Sequence, residues 1–197
     1  MSLITYTELC EEVQNGLLVA PATNEPPYNA IDLSQINGAS IDVRLGRTFL
    51  RESQPGDYTF RYRVVDLKEK EQLSFNKIEI PWGDRYYLPP GAFMLAETVE
   101  VFNIPNYLAA EFRLKSSLAR SGLDQSLAVW CDPGWHGSVL TLELKNVSQC
   151  HTFAFVAGMK IGQMVFFKGE PVPSDASYAV RGQYNNDKEV TQSKGVK

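Results

Sequence analysis

The sequence is poor in the residues on which many chemistries depend. It has three cysteines, Cys10, Cys131 and Cys150, and two histidines, His136 and His151. Three cysteines without a Cys-x-x-Cys exclude a secreted disulfide framework, so reduced thiols acting as small hydrophobes are expected. Cys131, His136, Cys150 and His151 make a poor zinc set, because neighbours such as Cys150 and His151 point to opposite faces of a strand. No apolar run approaches the ~20 residues of a membrane helix. The N-terminal stretch MSLITYTELCEEVQNG lacks a basic segment followed by an apolar one. No signal peptide is therefore expected, and the expected location is cytoplasmic. Positive charge is not in excess either: 19 Lys and Arg against 23 Asp and Glu give −4. Such a chain lacks the broad basic face that duplex nucleic acid requires. Phosphate-loop, dinucleotide, serine-elbow and H-E-x-x-H signatures are all missing.

What is present fits one folded domain over residues 1–197, with 44% hydrophobic and 21% charged residues among 197. Residues 5–17 read as a helix, with Thr5 or Thr7 as cap and Leu9, Val13 and Leu17 on one face. From residue 36 the pattern is that of strands. Ile41 to Leu45 and Leu73 to Ile80 alternate apolar and polar residues, and Phe93–Val101, Val139–Leu144, Phe153–Val156 and Ile161–Phe167 follow. Turn residues at Pro81, Pro89-Pro90-Gly91, Pro133-Gly134 and Gly158 separate them, as in an antiparallel sandwich, jelly roll or small barrel. The last sixteen residues, GQYNNDKEVTQSKGVK, contain almost nothing to bury. They read either as a frayed tail or as an arm that orders over a ligand.

Three segments carry chemistry. Arg113 to Gly122 places three cations and three hydroxyls together with no acid among them. Arg forks, a Lys point charge and hydroxyl donors are what phosphate oxygens bind, although a solvated basic turn has the same composition. In Cys131 to Gly137, Pro133-Gly134 forces a turn after Asp132, which either caps that turn or offers its carboxylate to a sugar hydroxyl or a water. In Leu140 to Asn146, alternation puts Leu140, Leu142 and Leu144 on one face and Val139, Thr141 and Glu143 on the other. Glu143 is then a solvated outward residue, which periodicity alone favours, or a pocket carboxylate whose raised pKa suits it to move protons.

Taken together, Ile36–Gly46, Tyr87-Leu-Pro-Pro-Gly91, Lys115-Ser-Ser-Leu-Ala-Arg120 with Gly122-Leu123, Asp132-Pro-Gly-Trp135 with Gly137, Leu140-Thr-Leu-Glu143 and Gly158–Gln163 resemble the dCTP deaminase family of the dUTPase superfamily. The resemblance covers roughly residues 36 to 167 in the family's order. It implies an all-β, distorted jelly-roll-like barrel with a short N-terminal helix. It also implies a homotrimer with active sites between subunits and a C-terminal segment, residues 182–197, that closes over the nucleotide. By the same resemblance Glu143 is the proton shuttle, Ser116 and Arg120 hold the tetrahedral adduct, and a backbone carbonyl near Ala128 aims the water. Lys115 and Ser117 would meet phosphates, Asp132 the deoxyribose 3′-OH, and Trp135 the sugar. Thr141, Leu142, Tyr178, Gln183 and Asp187 complete the nucleotide-binding set. No zinc is implied, and Mg²⁺ is expected on the triphosphate rather than on protein ligands.

The sequence departs from the family pattern in places. It is one residue shorter between Ser-Ser-Leu-Ala-Arg and Asp-Pro-Gly, and one longer from there to Glu143, so the register of Val129 to Ser138 is open. The loop Gly122 to Ala128 lacks the His often found there. The tail's usual Lys-Tyr-x-x-Gln reads Gln183-Tyr184-Asn185-Asn186-Asp187, leaving Arg181 or Lys188 to supply a cation. The leading expectation is deamination of dCTP to dUTP and ammonia, in the supply of dUTP for pyrimidine deoxynucleotide metabolism. The alternative is a bifunctional enzyme that continues to dUMP and pyrophosphate. A dUTPase and a non-catalytic nucleotide-binding trimer are the remaining readings.

Overall fold

The computed structural model describes residues 1–16, 19–53, 64–126, 128 and 130–195. Leu17, Val129 and the last two residues of the tail therefore lie outside the described residues. The strands are β1 (Ser2–Leu3), β2 (Val19–Pro21), β3 (Ile41–Glu52), β4 (Phe75–Glu79), β5 (Arg85–Leu88), β6 (Phe93–Asn103), β7 (Leu108–Leu114), β8 (Leu123–Gln125), β9 (Trp130–Cys131), β10 (His136–Asn146), β11 (Phe153–Val156) and β12 (Lys160–Lys168). The helices are α1 (Tyr6–Gln14), α2 (Ser116–Arg120) and α3 (Tyr178–Arg181), with a 3₁₀ turn at Leu33–Gln35.

The main sheet runs β8-β10-β6-β3-β12-β7-β9, with β1 on β12, β2 on β6 and β4 on β3. It curls into a half-barrel. β5 and β11 form a separate ribbon. Every pairing is antiparallel, as turn-separated strands allow. The all-β expectation with one N-terminal helix is met. That helix starts at Tyr6 with Thr5 as its N-cap residue, although the Thr5 side chain makes no capping bond. Leu9 is its buried anchor. The core inside the curl is built from Phe49, Phe102, Phe112, Phe166, Met94 and their aliphatic neighbours.

Strand β3 departs from simple alternation. Asp42 and Arg44, expected on a solvated face, are buried with their apolar neighbours. Burial of a charge requires a partner. Arg44 Nε donates to Glu100 Oε1 at 2.8 Å, the Arg44 N–H donates to Glu100 Oε2 at 2.9 Å, and the Gln35 amide adds a donor at 2.9 Å. Asp42 accepts from Asn37 and is paired with Lys115 and Lys160. These ions hold its carboxyl below the usual carboxylate range although burial opposes them.

The tail corrects the composition argument. Its backbone bonds to the sheet: Val139 N–H donates to Asp187 O at 2.9 Å and Asn186 N–H to His136 O at 3.1 Å. Val190, only 7% exposed, packs with Leu50, Leu95, Phe75 and Phe93. Few apolar residues suffice because main-chain bonds carry the docking. Gly137 has φ +69°, a conformation that L side chains rarely adopt, and a Cβ there would force the Asn186 side chain to shift.

Candidate active site

One cavity of about 560 Å³ lies between β10, the arm formed by the tail, and the segment around Leu67–Phe75. That volume is within the range of small-molecule sites. Its polar wall brings together seven residues that the sequence singled out: Ala128, Asp132, Trp135, Thr141, Glu143, Tyr178 and Asp187. Its apolar wall, from Leu73, Phe75, Phe93 and Leu95, was not read from the sequence.

Strand β10 presents the central carboxylate. Leu142 and Leu144 point into the core and Glu143 points the other way, as alternation predicts. Leu140 packs against the core with them, as expected, and also reaches the cavity lined by Val139, Thr141 and Glu143. The β10–β6 ladder loses register between Val139 and Thr141, and again between His136 and Ser138. Both irregularities fall in the stretch that is one residue longer than the family pattern. Of the two readings of Glu143, the structure selects the pocket wall. Burial pushes its carboxyl above the usual range, and the Gln125 side chain, donating to Oε2 at 2.7 Å, draws it partly back.

The turn after Asp132 forms as read. Gly134 takes φ +90°, open to glycine, and the Trp135 N–H closes the turn on Asp132 O at 3.1 Å. The Asp132 carboxylate is exposed to the cavity and accepts from Trp130 Nε1 at 2.9 Å. Trp135 is buried, stacked on Phe102, and its Nε1 donates to Tyr184 O at 2.7 Å. Cys131 is sealed beneath, its thiol pushed up to about 12 by burial and by the neighbouring Asp132 charge. Among the described residues no group of three or more His, Cys, Asp or Glu side chains is placed to hold a metal.

Other singled-out residues stand elsewhere. Ser116, Ser117 and Arg120 form the exposed α2, and none of them lines this cavity. Lys115, at the start of that helix, is engaged by Asp42. Leu142 is fully buried in the core rather than on the cavity wall. The Gln183 side-chain amide donates to Gly195 O, at 3.5 Å, and does not line the cavity. The arm's own cation is Lys194 rather than Arg181 or Lys188. Its Nζ donates to both Asp187 oxygens, at 2.8 and 2.7 Å, and to Gln183 O at 2.9 Å. Arg181 instead bonds Asp175 O at 2.6 Å. Lys194 and Gln125 had no motif to mark them; only the folded arm and the β8–β10 pairing reveal their partners.

Residues 16–169 match the model of the dCTP deaminase-like family. The chain belongs to that family. It is 35% identical over 180 residues to a Corynebacterium diphtheriae protein named dCTP deaminase, dUMP-forming, covering 89% of this chain and 92% of that one. A Salinispora arenicola protein of the same name is 34% identical over 195 residues, covering 98% and 94%. A Methanosphaerula palustris relative, again so named, is 36% identical over 156 residues, covering 79% of each. In fold the chain resembles the crystal structure of a 2'-deoxycytidine 5'-triphosphate deaminase from Agrobacterium tumefaciens, with TM-score 0.63 and 16% identity. That match spans 90% of this chain and about half, 51%, of the other.

Proposed function

We propose that this dCTP deaminase-like protein converts dCTP to dUMP, by deamination followed by removal of pyrophosphate. The observation that carries the reading is the placement of two unlike carboxylates on one cavity wall: Glu143, desolvated and raised, and Asp132, exposed. The relatives named dUMP-forming support the bifunctional alternative over the leading expectation that dUTP is the released product. In the first step a water oxygen bonds to C4 of cytosine, and Glu143 takes its proton. The C4–N4 bond then breaks as Glu143 returns the proton to the leaving ammonia, and the remaining hydroxyl proton passes to N3 as C4=O forms. In the second step a water adds to the α-phosphorus while the α–β phosphoanhydride breaks, with Asp132 as the base.

Groups outside this cavity complete the reading. Ser116, Ser117 and Arg120 are exposed, and Arg120 makes no ion pair among the described residues. A homotrimer would bring α2 of one subunit to the Glu143 cavity of the next, where Arg120 and Ser116 would stabilise the charged adduct. Lys115 and Ser117 would serve the phosphates. Mg²⁺ would be held by the triphosphate oxygens and would offset their charge.

The test is incubation of the purified protein with dCTP and Mg²⁺, with nucleotides separated by chromatography. The wild-type protein is expected to form dUMP and pyrophosphate, and Asp132→Asn to accumulate dUTP. If the wild-type protein itself accumulates dUTP, the second step fails. Unchanged dCTP overturns the whole reading and leaves dUTP hydrolysis or binding alone.

A further inference from the structure

Strand β8 is three residues long and holds its place through β10. Leu144 lies opposite Gln125, and the Ser126 N–H donates to Glu143 O at 3.1 Å, which extends the ladder by one bond. So short a strand has little reason to bury a polar side chain, yet Gln125 is only 8% exposed. Its Nε2 donates to Glu143 Oε2 at 2.7 Å and to Ser126 O at 3.2 Å. Both N–H donors thus face oxygen acceptors, which fixes the orientation of the amide. The reversed amide would set its own oxygen against the carboxylate. The cost shows on the other side, where Oε1 is buried with no partner among the described residues. Buried polar atoms are normally satisfied, so an orphan next to a carboxylate calls for an explanation.

We propose that Gln125 is a positioning residue for Glu143: its amide fixes the carboxylate in one rotamer and favours the form that can accept a proton. This rests on the deaminase reading above and deepens it. A base that is half-buried is at risk of being protonated before substrate arrives, because burial disfavours its charge. A neutral amide donor opposes that without introducing a cation, which would make the carboxylate too weak a base to take a proton from water.

Among the described residues no charged group competes for this role. On β6, Leu95 lies opposite Glu143, and Glu97 lies opposite Thr141 with its oxygens bonded to the Thr48 and Val190 N–H groups. Lys145 and Asp124 face each other one register step beyond Leu144 and Gln125. Across the cavity, Asp187 is held by Lys194 and Asp132 by Trp130. Tyr178, Tyr184, Glu71 and the neutral Cys131 complete the titratable wall. Among the described residues none of these bonds to the Glu143 carboxylate.

The test compares wild-type protein with Gln125→Met, which keeps the length and removes the donor. The pH dependence of dCTP turnover is measured beside an infrared titration of the Glu143 carboxyl band, identified by its absence in Glu143→Gln. The acid limb and the infrared midpoint are both expected to rise by about one pH unit, with turnover below the midpoint about tenfold lower. KM for dCTP should stay within about twofold. Gln125→Glu provides a second variant, in which two adjoining carboxylates share a proton and the midpoint rises further. Unchanged midpoints in both variants, with only a lower melting temperature, would overturn the proposal and leave Gln125 as packing for β8. If the infrared midpoint moves but the wild-type protein does not turn over dCTP, the coupling stands and the deaminase reading falls.

Discussion

Among the described residues Val190 is the one arm residue that the apolar cluster of Leu50, Leu95, Phe75 and Phe93 encloses, which makes it the lever for asking whether the arm is part of the site. Val190→Ala removes two methyl groups, each worth about 0.8 kcal/mol, and leaves a small void, for a loss of about 2 kcal/mol. At 1.4 kcal/mol per factor of ten, the docking constant falls about 30-fold. If only the docked arm completes the nucleotide site, KM for dCTP rises by at most about that factor, less if docking is strong in the wild type. Val190→Asp places a charge against the same wall beside the buried Glu97 and should undock the arm altogether. The assay pairs KM with trypsin cleavage after Lys188 and Lys194 read by mass spectrometry, since cleavage reports the opened population. The expected order of both readouts is wild type, then Ala, then Asp, with the main melting transition nearly unmoved. A large drop in the main transition without selective tail cleavage would refute the argument, because Val190 would then belong to the barrel core. Increased cleavage with unchanged KM would show that the arm docks but takes no part in binding.

Glu143→Gln should abolish deamination while keeping nucleotide binding, and calorimetry should find it more stable than wild type at neutral pH. The sign follows from burial. A carboxyl whose folded pKa is raised keeps its proton in the folded chain after the unfolded chain has lost it, so stability falls as pH rises from about 4.5 through the folded value. The Gln variant escapes that penalty, and its advantage should vanish at lower pH. Arg44→Met strands Glu100, which is completely buried, and should cost about 3–5 kcal/mol by denaturant unfolding. Arg44→Met combined with Glu100→Leu should recover part of that loss, and failure to recover would mean that the cost is packing rather than the unpaired charge.

Local pattern made much of this legible. The α1 helix, the long strands, the turn after Asp132 and the inward leucines of β10 all follow from period, turn chemistry and alternation acting over a few residues. What was not legible depends on partners distant in sequence. Asp42 and Arg44 read as outward polar residues because their compensating charges lie on β6, on β12 and at Lys115 just before α2. Composition leaves the tail open between a frayed end and an ordering arm, because its anchoring bonds come largely from the main chain, to which composition is blind. Gln125 carries no motif, and its meaning comes from a pairing with β10 that only the sheet supplies.

These long-range links tie the arm to the chemistry. The Thr191 N–H donates to Thr141 Oγ1 at 3.3 Å, and the Val190 N–H donates to Glu97 Oε2 at 2.8 Å. Thr141 and Glu143 line the same cavity as Thr191, Gln192 and Ser193. If the docked arm also shields Glu143 from water, it supplies part of the burial that raises that carboxyl. Deleting residues 182–197 should then let water reach Glu143 and draw its pKa down toward the ordinary range. The acid limb of turnover, measured at saturating dCTP, should move to lower pH even as KM rises. That shift is opposite in sign to the one expected for Gln125→Met, although both changes weaken the site. Two crippled enzymes whose pH profiles part in opposite directions would separate the desolvating contribution of the arm from the hydrogen bond of Gln125. If both profiles moved the same way, Glu143 would not be the group whose protonation limits the rate at low pH.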